Sequence, residues 1–189
     1  MGSMTPFDLV MFLGLFGMFI VGFAQGITRR LLGIGAILLS LGLAAQLRNP
    51  IGGYLASQWT TLPADYGLMV GFLAVFVGAA IALSFGIQIS YTPAPLLWRY
   101  PVLDEILGGV LGVIEGLLIF MAVMIIIEPY FQSAPIGGVS GEFGPLRALH
   151  DFLTGSLFAT IFRENVIPGV FVLFGWLFPQ SVVDAFKAH

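Results

Sequence analysis

The sequence predicts an all-α integral membrane protein: four transmembrane helices with small-residue packing stripes, followed by an amphipathic C-terminal region at the membrane interface. Three observations carry this. Of 189 residues, 58% are hydrophobic and only 9% charged, with mean hydropathy +1.01; a soluble domain carries about 25% charged residues. Apolar stretches recur that are long enough, at ~1.5 Å per residue, to cover a hydrocarbon core of ~30 Å. Within them small residues return every four positions, so each set stacks on one helix face and lets a second backbone approach closely.

The first span covers about Phe7 to Gly26. No basic segment precedes it and no small-residue cleavage site follows, so it reads as a retained helix rather than a leader. Asp8 near its start suits a helix entrance, and Gly14, Gly22 and Gly26 share a ladder with Met18 on one rung. Thr28, Arg29 and Arg30 make a short connection to a second apolar stretch, Leu31 to Leu47, so a helical hairpin is expected. Arg48 to Tyr66 reads as a loop, with Asn49-Pro50 and Gly52-Gly53 as breakers. Tyr54, Trp59 and Tyr66 suit a membrane–water boundary.

The third span, about Gly67 to Ile89, carries a stripe of Ala74, Gly78, Ala82 and Gly86. The fourth, LDEILGGVLGVIEGLLIFMAVMIII from Leu103, carries Gly108, Gly112 and Gly116 with Asp104 one turn earlier. These two helices are therefore expected to pack face to face, joined by the proline-rich connector Thr92 to Pro101 with Trp98, Arg99 and Tyr100. Glu115 is the formally charged residue near the middle of the fourth span. A carboxylate at that depth is protonated, paired, or facing a polar cavity.

After Glu128-Pro129 a glycine-rich loop, Ser133 to Gly144, leads to Leu146–Arg163. There Leu146, Leu149, Leu153, Leu157 and Ile161 alternate with Arg147, His150, Asp151 and Thr154 at helical spacing, giving an interfacial amphipathic helix. Pro168-Gly169 is expected to break it, Val170–Phe178 is too short to cross alone, and Ser181 with Asp184 looks like the start of a last short helix. The chain thus divides into residues 1–5, expected to be disordered and beginning with what looks like an expression remnant, a four-span domain over 6–131, and a loop and tail over 132–189. Arg29, Arg30 and Arg99 mark the cytoplasmic side against Arg48 on the other, so both termini are expected outside the cytoplasm.

Several chemistries lack support. The net charge of −3 offers no basic face for nucleic acid, and the absence of cysteine removes thiolate chemistry. Gly138-Val139-Ser140-Gly141 matches a rhomboid-type G-x-S-G string, but Ser140 falls in a loop and the histidines, His150 and His189, fall in the tail. His150 beside Asp151 reads as a solvated helix face. No cofactor, metal site or enzymatic activity is expected.

The stretches FDLVMFLGLFGMFIVGFAQGITRRLLGIG (Phe7–Gly35) and LDEILGGVLGVIEGLLI (Leu103–Ile119) resemble the colicin V production protein (CvpA) family. The shared positions are Asp8, Gly26, Arg29, Asp104, Gly108, Gly112 and Gly116. Two departures stand out: Glu105 and Glu115 occupy places where the family tends to carry basic residues. The resemblance implies a bacterial inner-membrane protein needed for colicin V production or toxin export and linked to envelope homeostasis. It implies no agreed activity. The same module also precedes periplasmic trypsin-like proteases, for which this chain has no room.

Three functions stay open on the sequence. One is an interaction or accessory component, working with the lipid bilayer as a homo-oligomer or with other envelope proteins through its glycine stripes. The others are a small oligomeric channel or proton-coupled transporter built on Glu115, and a membrane anchor or regulator of a separate periplasmic protease.

Overall fold

A computed structural model describes residues 5–59, 61–90, 96–97, 99–133, 140–153, 155–178, 180 and 183–184. The described residues are nearly all helical, with no strand among them. Three helices are long and apolar enough to cross a membrane: α1 (Pro6–Gln58), α2 (Ala64–Ser90) and α3 (Pro101–Ser133).

α1 is not one rod. Straight, its 53 residues would extend ~80 Å. Yet Phe7 meets Phe120 at 5.7 Å between ring centroids, while beyond the other end Trp59 meets Tyr66 and Tyr66 meets Tyr130. Both ends of α1 lie beside the C-terminal half of α3, so the chain doubles back. The reversal is at Gly26, whose φ of 73° and ψ of 176° are open essentially to glycine alone. The expected hairpin connection at residues 28–30 is therefore one residue at Gly26, and Arg29 and Arg30 belong to the returning arm. That economy is possible because a glycine can redirect the chain without intervening loop residues. The first arm (6–25) runs antiparallel to α3, and the second arm (27–58) runs parallel to it.

The expected loop after Arg48 is instead helix as far as Gln58. Pro50 removes one backbone donor, at the cost of a single intrahelical bond. Close contact with α2 offsets it: a Cβ added at Gly71 would lie 2.7 Å from Gly52 Cα, and one at Gly67 2.9 Å from Ala56 Cβ. Gly52 thus serves as a contact point between two backbones and not as a breaker. α3 likewise continues past Glu128-Pro129 to Ser133.

The tail forms α4 (Gly144–Leu153), α5 (Leu157–Ile161), a π-helical turn (Phe162–Val166), α6 (Ile167–Phe174) and a 3-10 turn (Gly175–Leu177). The single helix expected over Leu146–Arg163 is interrupted where Gly155 adopts φ 90° and the Ser156 hydroxyl caps α5 by accepting from Ala159 N–H. Pro168 breaks nothing. It falls in the first turn of α6, where its missing donor is not needed, and the π turn just before it absorbs the change of register. The expected capping residue Ser181 lies outside the described residues, as do residues 1–4 and residues 134–139 of the glycine-rich loop.

The buried core sits at one end. Leu41, Ala44 and Ala45 of α1, Met69, Phe72 and Phe76 of α2, and Met121 to Ile127 of α3 are packed under Phe162, Ile167 and Phe171 of the tail. α4 turns a mixed face inward, with Leu153 buried and Leu146 against the core: His150 stacks on Phe131 at 4.8 Å, and the Arg147 guanidinium lies 5.1 Å from the same ring centre. Its Leu149 and Phe152 are exposed.

Candidate functional site

The two quoted stretches meet each other. Along the crossing of the first arm with α3, Gly26 faces Asp104, Gly22 faces Gly108, and Met18 faces Gly112. A Cβ at Gly108 would lie 2.6 Å from the Gly22 carbonyl oxygen and 2.8 Å from Gly26 Cα. Gly116 is looser, with Leu15 and Met18 side chains against it. Gly109, outside the four-residue stripe, receives the ring of Phe19. The α3 ladder therefore contacts the first arm of α1, not α2. Of the α2 stripe, Ala74, Gly78, Ala82 and Gly86 are exposed, and nothing lies within 4 Å of a Cβ built at Gly78 or Gly86. α2 instead packs through Gly67 and Gly71, which lie about two turns before Ala74 and Gly78 on nearly the same helix face.

Asp104 is buried at the turn. Its Oδ2 accepts from Ile27 N–H at 3.4 Å and its Oδ1 from Leu97 N–H at 3.2 Å. Among the described residues it makes no ion pair. The reason is local: the glycine turn exposes the first donors of the returning helix, and Asp104 satisfies one of them. Asp8 behaves similarly at the opposite end. Its carboxylate accepts from Thr5 N–H at 2.7 Å, closing the start of α1, and from Leu157 and Phe158 N–H at the start of α5. Asp8 thus joins the tail to the first helix.

The arginine that does find a carboxylate is Arg30. Its Nη1 donates to Glu115 Oε2, and the two side chains are only 7% and 14% exposed. Gly33, one turn beyond Arg30, leaves the space the carboxylate fills: a Cβ there would lie 2.5 Å from Glu115 Oε1. Arg29 is half-buried and Arg99 exposed, and neither forms an ion pair among the described residues. Sequence reasoning placed Arg30 in a loop and so missed this partnership. The signal was present: Arg30 follows Gly22 and Gly26 at the same four-residue step, which continues the stripe if the helix resumes at once.

A second buried acid, Glu128, went unremarked in the sequence because it adjoins a proline that looked like a helix end. It pairs with Arg163 of the π turn. No cluster of three or more His, Asp or Glu side chains that could hold a metal occurs among the described residues. A groove of about 470 Å³ between the first arm, α3 and α4 is lined by apolar residues including Met11, Gly14, Met18, Gly116, Val123 and Leu149. A small cavity of about 10 Å³ adjoins Glu128. Neither is lined by Arg30 or Glu115.

The model of one family, colicin V production protein, matches residues 7–164. The chain belongs to the colicin V production protein family. The match takes in both motif regions, α2, and the tail through α5 into the π turn. Comparison with curated proteins and with solved structures gave no match.

Gly26→Ala tests the turn on which the motif geometry rests. The new methyl would meet strain of ~1–3 kcal/mol from the backbone angles and would also strike the Asp104 carboxylate. The expected result is loss of the folded species in mild detergent, read by size-exclusion chromatography. An unchanged elution profile and melting temperature would contradict the single-residue reversal.

Proposed function

We propose that this member of the colicin V production family is an accessory, interaction component of the bacterial inner membrane, serving toxin production or export and envelope homeostasis. On this reading both arms of α1, α2 and α3 each cross the bilayer. Arg29 and Arg99 mark the cytoplasmic side, and both termini and the tail face outward. The body assembles with further copies or with other envelope proteins, and the tail meets the lipid interface through residues such as Leu149, Phe152 and Trp176.

The supporting observation is the division of labour between two small-residue stripes. The α3 ladder is used up inside the subunit, whereas the α2 stripe is open along its length. Bare stripes yield packing energy only when another helix lies on them. The Arg30–Glu115 pair favours the same reading over transport, since a proton route through Glu115 would first have to break that pair.

Gly78→Leu combined with Gly86→Leu should leave the fold intact, because both positions are open, yet reduce the assembled mass in mild detergent to that of one subunit. A retained oligomer with native mass would count against association through α2, as would a wild-type chain that is monomeric in lipid nanodiscs.

A further inference from the structure

We infer that the tail is latched to α3 by a hydrated ion pair at Glu128, with a binding site for one internal water molecule between α3, α4 and α5. The Glu128 side chain is 4% exposed. Arg163 approaches it from one side only: both Nε and Nη2 address Oε1. Oε2 is shut off from solvent and accepts no hydrogen bond from any described residue. A two-oxygen fork is the usual and stronger arrangement of a guanidinium on a carboxylate, so half of this carboxylate has no donor.

Glu128 lines a cavity of about 10 Å³, together with Met124, Ile127, His150, Leu153, Ala159 and Arg163. The volume is at the lower limit for a single water, and most of the wall is apolar. Glu128 and Arg163 supply an acceptor and donors, and the His150 imidazole forms another polar part of the wall. A buried carboxylate oxygen left without a donor costs on the order of 1–3 kcal/mol or more. One water donating to Oε2 removes that cost and completes the pair.

The latch matters for its position. Glu128 is on the core helix α3, and Arg163 is on the π turn that leads into α6. The tail is also held by ring contacts such as Phe120 with Phe162 at 4.9 Å, by burial of Ile167 and Phe171, by the Asp8 bonds to the start of α5, and nearer its start by Tyr130 with Glu142 and by Phe143 N–H donating to the Tyr66 hydroxyl. Breaking the Glu128 pair therefore loosens α5 and α6 from the apolar C-terminal half of α3 while leaving α1–α3 joined.

The test is hydrogen–deuterium exchange of the full chain in lipid nanodiscs, reading amides of residues 157–172 with those of α1 and α3 as the folded-state control. Glu128→Gln and Arg163→Gln should each accelerate tail exchange about tenfold or more, since each leaves a partner unpaired. The double variant should be no worse than the worse single one. Additive effects, or unchanged exchange in the single variants, would overturn the latch.

The water has its own test at Ala159. Ala159→Val fills the cavity and should accelerate tail exchange by expelling the water, while Ala159→Ser, whose hydroxyl can donate to Oε2, should keep it near the native rate. A valine that slows exchange or leaves it unchanged would show a dry cavity and remove the water from the proposal.

Discussion

Gly112→Leu is expected to destroy the folded subunit rather than merely its assembly. A Cβ at that position overlaps the Met18 carbonyl oxygen and comes within 3.2 Å of Gly22 Cα, so the obstacle is backbone, which cannot rotate away. Overpacking a well-filled site costs ~1–3 kcal/mol when side chains can shift; here the expected cost is at or beyond the top of that range. Gly14→Leu is the matched control. It lies on the same ladder of the first arm, but nothing stands within 4 Å of its Cβ. Thermal unfolding in mild detergent should show the Gly112 variant unfolded at temperatures where the Gly14 variant is native. Equal melting of the two would mean the α1–α3 crossing is not as close as described.

The second large effect concerns Arg30 and Glu115. Removing one partner of a buried pair leaves the other charge without compensation, which costs ~3–5 kcal/mol. Arg30→Met and Glu115→Met alone should each be strongly destabilising. Replacing both should cost much less than the sum, and can even stabilise, because neither charge then has to leave water. The double-mutant cycle in a reversible unfolding assay measures this directly. If the double variant lost the sum of the single losses, the two side chains would not be acting as a pair, and Glu115 would again be open to a transport role.

These two expectations show what the sequence made legible. Composition and the four-residue repeats of Gly22, Gly26, Gly108 and Gly112 identify membrane helices and the glycines that line a stripe. They cannot say which stripe meets which. Periodicity gives the angle of a residue around its own helix but not the identity of the neighbour, so Gly78 and Gly86 looked as good a partner for α3 as Gly22. The boundaries erred in one direction. Pro50, Gly52-Gly53, Pro129 and Pro168 all looked like stops, and each sits in or at the start of a helix. Propensity is a local and small term, and contacts such as Gly52 against Gly71 outweigh it. The one true stop, Gly26, was recognised as the end of a span, yet the loop placed after it hid the pairing of Arg30 with Glu115. Asp8 and Asp104 both fall in the first turn of a long helix, but that Asp8 would also hold α5, some 150 residues later in the chain, is a tertiary fact with no local trace.

The unequal lengths of the helices have a further consequence. The first arm, about 20 residues, just matches ~30 Å of hydrocarbon, whereas α3 at 33 residues extends ~50 Å. α3 runs on past the start of the first arm, which lies beside Phe120, and the dense interior from Leu41 to Phe171 is at that end. Cohesion is therefore of two kinds within the same rods. At the Gly26 end, backbones touch in a medium as oily as themselves, and geometry alone holds them. At the far end interdigitated apolar side chains of all three helices and the tail hold the chain together. The two parts have separate vulnerabilities.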